Sequence, residues 1–157
     1  MAQVGYIILG SILAICGGII TQVIMIKWID KRTITALKIL LTDVINSINE
    51  IIDKLKLTYE KTKIVHVEFL LQLRSARLTY DRNKEYLIRI SNEELRKEIS
   101  DYFDKEMLFD MVVSAWNNLQ NDARFQTYAV SQIKEEVNKL DGIKDLGIRI
   151  KDKLGKI

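Results

Sequence analysis

The chain contains no proline and only seven glycines in 157 residues. Gly5, Gly10, Gly17 and Gly18 fall within the first eighteen positions and Gly142, Gly147 and Gly155 near the end, so 123 consecutive residues between them have neither glycine nor proline. The residues that usually punctuate turns are missing from that stretch, which predicts an overwhelmingly helical chain. Isoleucine far outnumbers alanine, lowering intrinsic helix propensity, so packing must hold the helices together.

Other shortages bear on chemistry. A single cysteine, Cys16, excludes an internal disulfide and any cysteine-built metal site. The only histidine, His66, sits in "IVHVEF" with no ligand partner at helical spacing, and no second histidine exists for a triad or zinc site. A glycine-free middle leaves no room for a phosphate-binding loop. Carboxylates are plentiful but interleaved with lysine, as on a solvated helix face. This inventory argues against an enzyme, and no catalytic residue, cofactor, metal or small-molecule substrate is expected. The formal net charge of +3, from 24 basic and 21 acidic residues, is too mild to suggest nucleic acid. Trp116, Phe125 and Tyr128 are spaced for a bundle core rather than for base stacking.

Charge is also absent from the N-terminus. No charged side chain precedes Lys27, and Val4 to Ile26 is a run of 23 uncharged residues. As a helix it covers roughly 34 Å, enough to cross the hydrocarbon core with a modest tilt. Tyr6 and Trp28 flank it where interfacial aromatics belong, and Lys27, Lys31, Arg32 and Lys38 outweigh Asp30 just beyond it. The basic-flank rule predicts a single-pass inner-membrane protein with its N-terminus outside and its C-terminus in the cytoplasm. A cleaved leader fits poorly: the start carries no basic side chain and no A-x-A site follows. Lipoprotein processing at Cys16 would need a small residue where Ile15 stands, and would leave Gly17 to Ile26 exposed to water.

On a helical wheel Gly10, Ser11, Ala14, Gly17, Gly18, Thr21 and Gln22 share an arc of about 140° that no large aliphatic residue interrupts. Gly10, Ala14 and Gly18 form the small-xxx-small pattern that lets two membrane helices meet backbone to backbone. The arc is expected to be a helix-packing face, for self-association or for a partner membrane helix. Cys16 lies opposite, among isoleucines, and is expected to face lipid.

Beyond the anchor (1–28), residues 29–142 are expected to form an antiparallel cytoplasmic helical bundle, giving an all-α fold. Ile34, Leu37, Leu41, Val44, Ile48, Ile51 and Leu55 follow the heptad a/d spacing, and Ile45, Ile52 and Tyr59 widen the stripe to suit two neighbours. Residues 60–80 are ambiguous between helix and a short strand; helix is preferred, with Ile64, Val67, Leu71 and Leu78 on one face. "TYDRN" (79–83) predicts a turn. Ser91 followed by Glu94 reads as a capping box, opening a helix whose buried face holds Leu95, Ile99, Tyr102, Phe109, Val113 and Trp116. A break near Asn121–Asp122 precedes a helix carrying Ala129, Ile133, Val137 and Leu140, expected to end at Gly142. The tail, 143–157, places Ile143, Leu146, Ile150, Leu154 and Ile157 opposite Lys144, Arg149, Lys151, Lys153 and Lys156. It suits either an anionic lipid surface or a last bundle helix.

The layout resembles small uncharacterised bacterial membrane proteins with a Gly-rich N-terminal span, a basic juxtamembrane patch and a long helix. A "YD-x-N…L…S-x-EEL…I…Y" stretch follows in them, here "TYDRNKEYLIRISNEELRKEISDYF" (79–103). The resemblance implies a bacterial inner-membrane location and transfers no functional residue. The expected role is a non-enzymatic membrane-anchored interaction or scaffold subunit; the alternative is a self-assembling pore former of holin type.

Overall fold

The computed structural model describes the backbone of residues 2–157, the exposure of Gly18, and the side chains from Ile20 onward. Helix α1 covers Ala2–Thr62, α2 Val67–Asp81, α3 Glu93–Gln120 and α4 Gln126–Gly155, with a 3-10 helix at Lys84–Arg89. The protein is all-α, and no strand occurs among the described residues. The chain divides into two compact units, residues 1–36 and Leu37–Ile157.

The second unit is an up-down-up-down four-helix bundle. Polar pairs record the antiparallel run of α1 and α4: Lys56 with Asp141 at 2.6 Å, Asp53 with Lys144 at 2.5 Å, and Asn46 with Lys151. Arg74 with Asp110 and Arg77 with Asp104 do the same for α2 and α3. Glu98 with Lys153, and Trp116 with Tyr128, do so for α3 and α4. The predicted α1 stripe from Leu37 to Tyr59 is buried at every position, e positions included. That stripe meets Leu95, Ile99, Tyr102, Phe103, Phe109 and Val113 of α3 and the α4 stripe from Ile133 to Leu154 in one core.

Three local expectations are corrected. Residues 63–66 are a break without strand partner: the N–H of Lys63 donates to the Tyr59 carbonyl at 2.7 Å, and Lys63 itself is left-handed at φ 59°. A lysine closes the helix where glycine is usual, because the sequence offers no glycine there. In α2, Val67, Leu71 and Leu78 are exposed, as is Ile64 just before it, while Leu70, Leu73 and Tyr80 are buried. The helix has turned its other apolar face inward, and Tyr80 stacks on Phe103 with ring centroids 3.8 Å apart. At α3 the cap is Asn92, not Ser91: the Leu95 N–H donates to Asn92 Oδ1 at 3.0 Å.

The tail differs from expectation as well. Helix α4 passes through Gly142 without a break and ends at Gly155, so 143–157 is no separate segment. Ile143, Leu146, Ile150 and Leu154 continue the buried stripe of α4 into the core. A glycine inside a helix lowers stability by only about 1 kcal/mol, and here core packing outweighs it.

Candidate functional site

Among the described residues no helix is long and apolar enough to cross a membrane. The uncharged run at 4–26 falls for most of its length outside the described side chains. Of the small-residue arc, Gly10, Ser11, Ala14 and Gly17 lie outside them, as do Cys16 and Tyr6. Gly18, Thr21 and Gln22 are exposed on α1, and a Cβ added at Gly18 would meet nothing within 4 Å. The next three turns of α1 carry Ile20, Val23, Ile24, Met25, Ile26, Trp28 and Ile29, all exposed. At 100° per residue these seven surround the helix and leave no polar face. Lys27 and Lys31 are exposed beside them, and Arg32, one turn beyond Trp28, places its guanidinium 4.0 Å from the Trp28 ring centroid.

The cations proposed for a lipid surface are divided by the fold. Lys144 pairs with Asp53, Lys151 with Asn46, and Lys153 with Glu98 at 2.6 Å and with Glu94 at 3.8 Å. Three of the five thus tie α4 to α1 and α3, whereas Arg149 and Lys156 are exposed. With Ile143, Leu146, Ile150 and Leu154 buried in the core and only Ile157 of the expected stripe exposed, the tail keeps too little apolar surface to lie on lipid as an amphipathic helix. The bundle-helix alternative is the one the fold supports.

Among the open grooves of the bundle surface, two lie beside α2 and α3. One, of about 520 Å³, separates α1 from α2 and mixes polar Asp43, Glu50, Lys54 and Gln72 with apolar Val44, Ile51 and Ala76 in its walls. The other, of about 260 Å³ between α3 and α4, has Leu108, Phe109 and Ile143 as its apolar lining beneath Lys105 and Lys139. Gly142 lies in that lining with open space where a side chain would be. His66 is exposed, edge-on to Phe69 at 6.5 Å. Trp116 is half-buried against the core, but Phe125 and Tyr128, expected in it, are exposed. No group of three or more His, Cys, Asp or Glu positioned to hold a metal occurs among the described residues.

One constellation carries no sequence motif. Glu106 and Asp110, one turn apart on α3, are 2% and 7% exposed. Arg74 Nε donates to Asp110 Oδ2 at 2.7 Å and Arg74 Nη2 to Ser114 Oγ at 3.1 Å. Arg77 is shared among Asp81 at 3.4 Å, Asp104 and Glu106 at 3.8 Å each, and the Phe103 carbonyl. Both Glu106 oxygens and Asp110 Oδ1 are buried without a hydrogen-bond partner. Burial pushes the Glu106 carboxyl up to about 7; Arg77 pulls against this and Asp110 adds to it. The only available signal was that positions 106 and 110 continue the i, i+3, i+4 buried spacing from Phe103. In a helix with acids on every face, such a signal is easily missed.

Comparison of the chain with protein-family models, curated proteins and solved structures returns no match.

Proposed function

We infer that the protein is a single-pass membrane-anchored interaction subunit with no catalytic role of its own. On this reading α1 enters the bilayer through residues 4–26, the N-terminus lies outside and the helical bundle lies in the cytoplasm of a bacterial cell. The observation that carries it is the girdle of exposed apolar side chains from Ile20 to Ile29. A surface helix of a water-soluble domain keeps one polar face, whereas a helix apolar all round belongs in lipid or inside a protein. Trp28 with Arg32 over its ring, and Lys27 and Lys31 beside it, match the chemistry of a membrane interface, where amphipathic rings and long cationic side chains settle. The glycine arc would then supply the contact with a second copy or with a partner's membrane helix, and the bundle surface the cytoplasmic contacts.

The test is crosslinking in cells, extraction in mild detergent and mass spectrometry of what co-purifies. A recurring partner, or a defined homo-oligomer without membrane leakage, is expected. Membrane depolarisation on overexpression would instead favour the pore-forming alternative, which Ser11, Thr21 and Gln22 on the edge of the arc also suit.

A further inference from the structure

Glu106 occupies a position where the buried spacing of α3 calls for an apolar side chain, yet it carries a carboxyl group into the core. Neither oxygen has a hydrogen-bond partner. Its nearest cation, Arg77, stands at 3.8 Å and divides its nitrogens among Asp81, Asp104 and the Phe103 carbonyl. An ionised carboxylate so placed has lost its water without full compensation, so removing the charge relieves the contact. Asp110, one turn on, adds a second negative charge with an unpartnered Oδ1. The groups acting on Glu106 are Arg77, Arg74 and Asp81 from α2 and Asp110 from α3; among the described residues none comes from α1 or α4.

Helix α2 is the element this arrangement can move. Its N-cap residue, His66, makes no side-chain cap hydrogen bond. The groove of about 520 Å³ opens on its α1 side, and its outer face shows Val67, Leu71 and Leu78 to solvent. What fixes it is the α3 side, where Tyr80 stacks on Phe103 and both α2 arginines end on α3 acids. We propose that the α2–α3 contact is a proton-operated latch: α2 is held against α3 while Glu106 is protonated and loosens when Glu106 loses its proton. The carboxyl binds its proton more tightly in the closed form than in an opened, hydrated one. Closure is therefore fully favoured below the ordinary carboxylate range, and that advantage is lost as pH rises through about 7.

The experiment is amide hydrogen exchange on the full-length protein in detergent micelles, corrected for intrinsic pH dependence, at about pH 5 and about pH 8. The opening constant of α2 should rise on the order of 50-fold over that interval, with α4 amides unchanged. Glu106→Gln, neutral and of the same shape, should abolish the rise. An equal rise in the variant, an equal rise in α4, or no rise in the wild type overturns the proposal. A carboxyl-carbon titration of wild-type Glu106 by NMR gives the second measurement. A midpoint near neutrality is expected, and one in the ordinary carboxylate range overturns the proposal independently of any variant.

Discussion

A Cβ added to Gly147 would stand 2.9 Å from Cε2 of Tyr102, so the ring of one helix occupies the place of a side chain on the other. The same atom would lie 3.0 Å from Ile45 Cγ2 and 3.3 Å from Asn49 Oδ1. Helix α4 therefore approaches α1 and α3 together at this level. There the Tyr102 hydroxyl donates across the core to Asn49 Oδ1 at 3.4 Å, and burial pushes the phenol's pKa up. Gly147→Ala should destabilise the bundle by about 1–3 kcal/mol, the usual cost of forcing atoms into a filled core. Gly142→Ala, on the same helix with nothing within 4 Å, should stabilise it by up to about 1 kcal/mol. Thermal melts should show midpoint shifts of opposite sign, and shifts of the same sign would refute the packing described at Gly147.

The start of α3 offers a second paired comparison. Asn92 Oδ1 accepts from the Leu95 N–H, one of the first-turn donors that a helix cannot satisfy internally. Asn92→Ala should cost about 1 kcal/mol. Ser91→Ala should change stability by no more than a few tenths, since Ser91 precedes the cap. Denaturant midpoints decide between the two residues, and a larger loss at Ser91 would restore the capping box read from the sequence.

The misplaced cap shows where the sequence was legible and where it was not. The α1 stripe from Leu37 to Tyr59 was legible because a long heptad run with filled e positions admits one buried face. The α4 pattern through Leu140 is legible for the same reason, but Gly142 reads as a stop signal although helix ends follow from what lies beyond them. Ile143, Leu146 and Ile150 continue the stripe in phase, so core burial carries the helix through. Helix α2 is short and has two apolar faces: Val67, Leu71 and Leu78, or Leu70, Leu73 and Tyr80. Periodicity alone could not choose between them. The choice depends on Phe103, to which Tyr80 is matched, and that contact is distant in sequence. Glu106 is hard to read for a related reason: it falls in the buried spacing of α3, but the arginines that face it lie on α2, distant in sequence.

The small-residue arc predicts a specific loss of association. Helices in lipid gain little hydrophobic energy by meeting, so close backbone approach has to supply the contact. Ala14→Ile or Gly18→Ile puts a branched side chain into that strip while keeping the segment apolar. Either should reduce helix association in a membrane two-hybrid assay, with Cys16→Ile as the control that leaves it intact. Equal behaviour of all three would mean that the glycines reflect composition and not an interface.

The proposed membrane anchor is residues 4–26, and Cys16, the chain's one thiol, sits near the middle of that segment. The direct measurement is labelling of Cys16 with a charged maleimide in isolated membranes, before and after solubilisation in denaturing detergent, alongside alkaline carbonate extraction. The protein should stay with the membrane pellet, and Cys16 should be labelled only after solubilisation. Release into the carbonate supernatant, with Cys16 labelled at the outset, would contradict membrane anchoring.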